Sequence, residues 1–236
     1  MSHGRTETMV AVIFDIDGVV IDSPHERAWR EALAQAADRA RFTSAFYQAH
    51  VAGRPRLDGA RAVLQAFALT EPPEAYAARK QAALQRLIAA GAFTAFPDAL
   101  HLLRALRHAQ VPIAAASSSK NANAMLGQIP MPPYGTLQTV FTANLCGQDE
   151  PRGKPDPAIF LAAAEALRQP PTACVVIEDA PAGIAAARAG GMAALGIARH
   201  NDAAGLRAAG ANRVVRSLDD IAVAALCALP ATEEPR

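Results

Sequence analysis

Lysine, cysteine and aromatic residues are scarce in this chain, neither sign of charge is in excess, and long apolar runs are missing. The net charge is +1 and the basic residues form no block, which argues against a nucleic acid or an anionic membrane as a partner. Residues 1–8 are polar, and the apolar run after them is too short for a signal peptide or a membrane span. We therefore expect a cytoplasmic protein that binds neither nucleic acid nor membrane.

The three cysteines, Cys146, Cys174 and Cys227, are widely spaced and odd in number. Their spacing is not that of a metal site, so we expect reduced thiols. Cys174 lies in an apolar run and is predicted to pack inside a strand.

Lysine is the most informative of these scarcities. Of the 23 basic residues only three are lysines, namely Lys80, Lys120 and Lys154. Because arginine fills almost every other basic position, the remaining lysines are candidates for sites that need a compact ammonium group.

The run from 10 to 14 is apolar without a helical period and ends in Asp15, Asp17 and Gly18. This pattern predicts a strand that is buried on both faces of a parallel sheet. Ligands of such sheets bind beyond the carboxyl ends of the strands, where the two carboxylates would lie. Two carboxylates this close repel each other unless a cation such as Mg²⁺ lies between them.

The segment from about 24 to 92 has helical spacing and no alternating strand pattern. Breaks at 53–55 and 71–73 divide it into about four helices. We expect a helical domain at 23–94, inserted into a core formed by 1–22 and 95–236, since half of the residues (51%) are apolar and can fill a large core and a smaller one.

Strands and helices alternate after this insertion, which predicts an α/β fold with a doubly wound parallel sheet and right-handed crossovers. The predicted strands are 111–116, 139–142, 174–177, 192–197 and 213–215. The predicted helices begin near 97, 121, 158, 183 and 203, and the proline-rich segment 129–135 is predicted to be a loop.

Three predicted strands end in polar groups: Asp15 and Asp17, then Ser117, then Glu178 and Asp179. A lysine, Lys154, lies on the loop before the last of these strands. Four carboxylates at one sheet edge would destabilise the fold unless a metal ion and a lysine neutralised them.

The order of these motifs resembles the haloacid dehalogenase superfamily of phosphotransferases. The resemblance runs from about 9 to 221 and implies that Asp15 is the nucleophile that forms an aspartyl-phosphate and Asp17 the general acid and base. It also implies that Ser117 binds the transferring phosphoryl group and that Lys154 offsets its charge.

The same resemblance implies a Mg²⁺ ion as the cofactor. Its ligands would be the Asp15 carboxylate, the backbone carbonyl of Asp17 and Asp179, with Glu178 helping directly or through water. An inserted helical domain directly after the first motif is similar to the superfamily's helical cap.

Within the superfamily the chain resembles the β-phosphoglucomutase-like branch of sugar-phosphate mutases and phosphatases. The motifs behind this are 25–29, 53–56, 79–80, 117–121 and 178–183. They imply that Arg56 binds a distal phosphate, that Lys80 faces the closed site and that His25 helps to position Asp17. The segment between Asp22 and His25 is shorter than the usual pattern.

The residues after Ser117 complete the expected substrate-binding set, which is Ser118, Lys120 and Asn121. For Lys120 two interpretations stay open: it contacts the substrate, or it only begins the next helix.

The resulting hypothesis is a Mg²⁺-dependent phosphatase that acts on a small phosphorylated sugar or related metabolite, as a monomer or weak dimer. The alternative is a β-phosphoglucomutase that interconverts β-glucose 1-phosphate and glucose 6-phosphate through a bisphosphate. A phosphonatase would need Lys80 as a Schiff-base lysine. A dehalogenase would leave Asp17 without a purpose. A non-catalytic binding module is expected to have lost Asp15, Asp17, Lys154 or Asp179, and all four are present.

Overall fold

The computed structural model describes residues 9–148, 152–199 and 202–232. The polar segment 1–8 lies outside the described residues. The strands are β1 (Ala11–Phe14), β2 (Ile21–Asp22), β3 (Thr94–Ala95), β4 (Ile113–Ala115), β5 (Ala143–Asn144), β6 (Cys174–Glu178), β7 (Ala193–Ile197) and β8 (Arg213–Val215).

The α-helices of the described residues are α1 (His25–Glu31), α2 (Ala36–Arg41), α3 (Ser44–His50), α4 (Arg56–Phe67), α5 (Pro73–Ala89), α6 (Pro97–His108), α7 (Ala122–Leu126), α8 (Leu137–Val140), α9 (Ala158–Ala166), α10 (Pro181–Ala189), α11 (Ala203–Ala208) and α12 (Val223–Cys227). None of them is long and apolar enough to cross a lipid bilayer.

Six strands form one parallel sheet in the order β5-β4-β1-β6-β7-β8, which confirms the predicted α/β fold. Strand β1 lies inside the sheet, between β4 and β6, and all of its residues are buried. Val12 and Phe14 pack into the apolar layer on one face, while Ala11 and Ile13 pack into the layer on the other. A strand covered on both faces has no polar position, which explains its continuous apolar sequence.

Helices α1–α5 lie between β2 and β3 in the chain, and α1, α3, α4 and α5 contribute to an apolar cluster that includes Trp29, Val63 and Tyr76. The structure has five helices here, so the predicted number of about four is wrong. The missed boundary lies between α2 and α3, where no glycine or proline marks the break. Instead Thr43 caps α3 by accepting a hydrogen bond from the Phe46 N–H at 3.2 Å.

The predicted strand at 139–142 is also wrong. Helix α8 extends over the first half of this segment, and the strand beside β4 is the two-residue β5 that follows it. Thr136 and Thr139 form a reciprocal capping box that begins α8. The run of β-branched and aromatic residues favours a strand locally, and the cap overrides that preference.

The other predicted strands and helices of the core occur in the predicted order. Segment 129–135 forms a loop, and the cysteines are free, with Cys174 fully buried in β6. In α6 the core contacts come from Leu102, Leu103 and Leu106, whereas Leu100 is only partly buried.

Candidate active site

The site begins where β1 ends. The Asp15 N–H donates to the Ile177 carbonyl at 3.0 Å, so the sheet pairing continues through this residue and fixes its side chain at the sheet edge. Gly18 then turns the chain with a φ of +83°. A Cβ atom at Gly18 would lie 2.0 Å from Oδ2 of Asp179, so this turn requires glycine for its conformation and for its contact.

Lys154 connects the first and last acidic motifs. Its Nζ donates to Oδ1 of Asp15 at 2.5 Å and to Oε1 of Glu178 at 2.6 Å, and all three residues are buried. Burial alone would lower the pKa of Lys154, but the two carboxylates outweigh it and raise that pKa above its usual value. Lys154 therefore stays charged and balances part of the negative charge at the sheet edge.

Asp15, Glu178 and Asp179 each offer a carboxylate oxygen, and these oxygens lie within 4.8 Å of one another. Burial raises the pKa of Asp15 to about 8, although Lys154 opposes this shift. Burial, Glu178 and Asp15 raise the pKa of Asp179 well above its usual value. A buried all-oxygen cluster with excess negative charge fits Mg²⁺, a hard cation that prefers carboxylate ligands.

Asp17 lies beside this cluster and is only partly hydrogen-bonded. Its Oδ2 accepts a hydrogen bond from the Ser117 hydroxyl at 3.2 Å. Its Oδ1 is buried without a hydrogen-bond partner in the described residues and lies 3.6 Å from Nε2 of His25. This oxygen is therefore available for a hydrogen bond with a bound molecule.

The loop after β4 is held by its own serines. The Ser119 N–H donates to the Ser117 hydroxyl at 3.1 Å, and the Asn121 N–H donates to the Ser119 hydroxyl at 3.3 Å. Ser119 also lies 3.2 Å from Nε2 of His25, so this loop contacts the helical insertion directly. Ser119 belongs to the 117–121 motif, but its contact with His25 could not be predicted from the sequence.

Helices α1 and α5 bring two of the predicted residues together. The Nζ of Lys80 lies 3.1 Å from Nδ1 of His25 and 5.1 Å from the centre of the Trp29 ring. Burial lowers the pKa of Lys80 to about 7. Burial, with the charge of Lys80, lowers the pKa of His25 to about 4, so this histidine is neutral at physiological pH.

Arg56 and Asn121 are joined by a residue that the sequence did not reveal. Arg56 Nη1 donates to Oε1 of Gln81 at 2.9 Å, and Gln81 Nε2 donates to Oδ1 of Asn121 at 3.2 Å. Gln81 thus links the helical insertion to the core. It is one of many polar residues on the helices, and periodicity alone does not single it out.

A cavity of about 550 Å³ lies between the sheet edge and the helical insertion. Every residue of the predicted site lines it: Asp15, Asp17, His25, Arg56, Lys80, Ser117, Ser118, Lys120, Asn121, Lys154, Glu178 and Asp179. Tyr47 and Gln48 of α3 also line it, and no motif in the sequence marked them. The cavity is lined by cationic side chains from both the sheet edge and the insertion and by several amides, which suits a small, polar, anionic ligand.

Comparison with known proteins is consistent with this geometry. A family model described as haloacid dehalogenase-like hydrolase matches residues 9–191. The chain is 33% identical to a β-phosphoglucomutase of Mycobacterium bovis, in an alignment that covers 92% of this chain and 93% of that protein. It is 30% identical to a fructose-1-phosphate phosphatase of Escherichia coli over 199 residues, which cover 81% of this chain and 97% of that protein.

A solved structure gives the same result. The archaeal β-phosphoglucomutase from a hyperthermophilic Pyrococcus superposes with a TM-score of 0.74 at 26% identity, covering 95% of this chain and all (100%) of that one. The family resemblance seen in the sequence is thereby confirmed. The chain belongs to the haloacid dehalogenase-like hydrolases.

Proposed function

We propose that this hydrolase is a Mg²⁺-dependent phosphatase that acts on a small phosphorylated sugar through an aspartyl-phosphate at Asp15. The observation that carries the proposal is the position of the Asp15 carboxylate. One of its oxygens is held 2.5 Å from Lys154, and the residue faces the cavity beside Asp17. A fixed carboxylate next to a second, proton-exchanging carboxylate is the arrangement that covalent phosphoryl transfer needs.

In the first step an oxygen of Asp15 attacks phosphorus and the bond to the leaving oxygen breaks. Asp17 gives its proton to that oxygen. The Ser117 hydroxyl and the Lys154 ammonium stabilise the phosphoryl oxygens. When bound by Asp15, the Asp17 carbonyl and Asp179, with Glu178 nearby, Mg²⁺ would offset further negative charge on the phosphoryl group.

In the second step water attacks the phosphorus of the aspartyl-phosphate. Asp17, now ionised, takes a proton from that water, and the bond from phosphorus to the Asp15 oxygen breaks with its electrons returning to the carboxylate. Free phosphate and the starting carboxylate result. The buried Oδ1 of Asp17, which lacks a protein partner among the described residues, supports its use in both proton transfers.

The helical insertion at 23–94 serves in this proposal as a cap that binds the rest of the substrate. Arg56 binds a distal anionic group because its planar guanidinium matches phosphate oxygens. Lys80 adds a positive charge to the closed site, and His25 helps to hold Asp17. The role of a cap is supported by the fact that Arg56, Lys80 and His25 line the same cavity as the residues of the sheet edge.

On the core side, the substrate-binding residues of the proposal are Ser118, Lys120 and Asn121. The side chains of Ser118 and Lys120 are exposed at the cavity, and Asn121 is linked to the cap through Gln81. The sugar class is supported by the names of the relatives, one of which acts on fructose 1-phosphate.

A phosphomutase is the second candidate. The similarity to the mycobacterial β-phosphoglucomutase extends over 92% of the chain, and Lys80, which lines the cavity, is only 3% exposed. A tightly closed cap favours transfer to a second sugar hydroxyl because it excludes water from the phosphoryl-enzyme.

A screen of phosphorylated metabolites with Mg²⁺ tests both candidates. Free phosphate and, for β-glucose 1-phosphate with a trace of bisphosphate, glucose 6-phosphate are measured in the same wells. Release of phosphate from sugar phosphates supports the phosphatase, whereas rapid glucose 6-phosphate formation with little phosphate supports the mutase. Silence in both assays would contradict the proposed chemistry.

The mechanism is tested by Asp15→Asn, which keeps the shape of the side chain but removes the nucleophile. We expect turnover of p-nitrophenyl phosphate to fall by roughly 10⁴-fold or more while folding is retained. The matched control is Asp58→Asn, which removes an exposed carboxylate paired with Arg61 on α4. Substantial residual activity in Asp15→Asn would falsify the aspartyl-phosphate mechanism.

A further inference from the structure

Arg199 follows β7 and reaches the turn that carries Asp17. Its Nε donates to the Gly18 carbonyl at 2.9 Å, and its Nη2 donates to the Val19 carbonyl at 2.9 Å. The guanidinium also lies 3.6 Å from the centre of the Phe96 ring. The Arg199 side chain is 11% exposed, so these contacts are well shielded from water.

The other side of the guanidinium is fixed by Asp98, in the first turn of α6. Nη1 and Nη2 of Arg199 donate to the two carboxylate oxygens of Asp98, each at 3.1 Å. Asp98 is itself held by the Ser217 hydroxyl at 3.0 Å and by the Leu218 N–H at 2.7 Å. A bidentate pair supported in this way has little freedom to move.

The turn to which Arg199 donates its hydrogen bonds is short and compact. The Gly18 N–H donates to the Ile21 carbonyl at 2.8 Å, and the Val20 N–H donates to the Ile16 carbonyl at 2.9 Å. Asp17 lies between Ile16 and Gly18, the residues that make these two hydrogen bonds. After the turn the chain continues through β2 to α1. A shift of the turn therefore moves Asp17 relative to the rigid end of β1.

The turn is also tightly packed against the acidic cluster. No atom larger than hydrogen fits between Gly18 and the Asp179 carboxylate, since a Cβ at Gly18 would lie 2.0 Å from Oδ2. Displacements below 1 Å thus change the distance between Asp17 and the reacting group. Misplacements of about 1 Å are large enough to reduce turnover by about 10²-fold.

We propose that Arg199 is a positioning residue for Asp17: braced by Asp98, it holds the carbonyls of Gly18 and Val19 and so keeps the Asp17 carboxylate facing the phosphoryl group. This role rests on the proposed function, in which Asp17 transfers the protons. Arg199 has no contact with the substrate in this proposal.

The test compares Arg199→Ala and Arg199→Lys with wild type. Lysine keeps the charge near Asp98 but cannot hold two carbonyls and a carboxylate with one planar group. We expect kcat on p-nitrophenyl phosphate to fall by about 10²-fold with KM changed by less than about threefold, because positioning acts on the chemical step. Added guanidinium ion is expected to restore part of kcat in Arg199→Ala and none in Asp15→Asn.

A second measurement does not depend on turnover. Hydrogen–deuterium exchange of the amides in residues 16–21 is expected to accelerate in both variants, because the turn loses its external support. The control is Arg61→Ala, which removes an exposed arginine of α4 outside the site. We expect wild-type kinetics and wild-type exchange for this variant. If Arg199→Ala does not fold, Arg199→Lys alone decides the question.

Wild-type kcat in Arg199→Lys, or unchanged exchange of residues 16–21, would overturn the assignment. A rise of KM without a fall of kcat would also overturn it, since that result would place Arg199 in substrate binding. Failure of the proposed function has a different signature: wild type itself would release no phosphate, while exchange of the turn would still respond to the Arg199 variants.

Discussion

The Nζ atom of Lys80 lies 3.1 Å from Nδ1 of His25, and this contact sets the proton position on the imidazole. An ammonium group can only donate, so Nδ1 accepts and the ring proton lies on Nε2 while Lys80 is charged. That N–H faces the Ser119 hydroxyl at 3.2 Å and Oδ1 of Asp17 at 3.6 Å. A charged Lys80 thus directs the imidazole N–H toward the Ser119 hydroxyl, with Asp17 just beyond hydrogen-bond distance.

Replacing Lys80 by methionine is expected to stabilise the fold and weaken substrate binding. Burial lowers the pKa of Lys80 from 10.5 to about 7, so the unfolded chain binds one more proton than the folded chain between these values. The free energy of unfolding of wild type therefore rises with pH across this window. Below about pH 7 the folded protein bears the full energetic penalty of burying the charged Lys80 ammonium. Lys80→Met removes the penalty.

Urea unfolding of both proteins at several pH values between about 7 and 10.5 checks this expectation. The difference in free energy between Lys80→Met and wild type should shrink as the pH rises. Arg61→Met, which removes an exposed guanidinium of α4 outside the site, serves as the control and should show no such trend. A variant less stable than wild type at neutral pH would contradict the burial argument, and an unchanged KM for sugar phosphates would contradict the role in binding.

Mg²⁺ is expected to bind and stabilise the wild-type fold, whereas the Asp179→Asn variant is expected not to bind it. At a Mg²⁺ concentration of about 100 times Kd, binding to the folded state adds about 2.7 kcal/mol to the free energy of unfolding. Burial and the charges of Glu178 and Asp15 disfavour the Asp179 carboxylate in the metal-free protein. Asparagine at this position should therefore raise Tm without Mg²⁺ while removing the response to it.

Thermal unfolding after chelation, with and without added Mg²⁺, measures both effects. Asp219→Asn removes an exposed carboxylate that pairs with His101 and does not line the cavity, so it should keep the wild-type response. A Mg²⁺-induced rise of Tm in Asp179→Asn equal to that of wild type would exclude Asp179 as a ligand.

Much of the site could be predicted from the sequence because strand ends fix where a side chain lies. Asp15, Ser117 and Glu178 follow apolar runs that become neighbouring parallel strands, so their carboxyl ends meet at one edge. The pairing accounts for their proximity, whereas the roles expected of them came from the resemblance to the haloacid dehalogenase superfamily. The fold class followed from the same alternation of strands and helices.

The parts that the sequence did not reveal depend on how helices and loops pack. Gln81 and Tyr47 line the cavity because of the angles between the helices that carry them, and a 3.6-residue period does not specify those angles. Arg199 was missed because two of its partners are backbone carbonyls, which any sequence provides, and its third partner, Asp98, is 101 residues away in the chain. At Thr139 a local cap overrode the strand preference of its neighbours.

Alanine at Gly183 is expected to destabilise the protein and reduce activity, although alanine usually favours helices. A Cβ at this position of α10 would lie 1.8 Å from Oε1 of Glu178, whose side chain is 1% exposed and cannot move aside. Displacing Glu178 would also break its 2.6 Å contact with Lys154. We expect a loss of about 1–3 kcal/mol of stability, as for other overpacked buried sites.

Gly205 of α11 provides the matched control. Its added Cβ would lie 3.5 Å from Pro181, which is ordinary van der Waals contact. Gly205→Ala should therefore stabilise the protein by up to about 1 kcal/mol, as the helix propensities predict, with unchanged activity. Chemical unfolding and phosphatase assays of the two variants decide the matter, and stabilisation by Gly183→Ala would refute the steric argument.

The role of Arg56 predicts a substrate-dependent loss of activity. Its Nη1 is held by Gln81, so the guanidinium lies at the cavity in position to bind a distant anionic group of the substrate. Loss of one charge-assisted hydrogen bond costs about 1.5–3 kcal/mol, which corresponds to a fall in kcat/KM of roughly 10- to 150-fold for Arg56→Ala on a substrate that uses this group. The small aryl substrate p-nitrophenyl phosphate has no second anionic group for Arg56 to bind, so its kcat/KM should change by less than about twofold.

Arg56→Lys should recover only part of the loss, because lysine cannot make a bidentate contact. Arg61→Ala on the same helix, with an exposed side chain, should leave both substrates unaffected. Equal losses on both substrates in Arg56→Ala would mean that Arg56 supports the fold of the cap and does not bind the distal group.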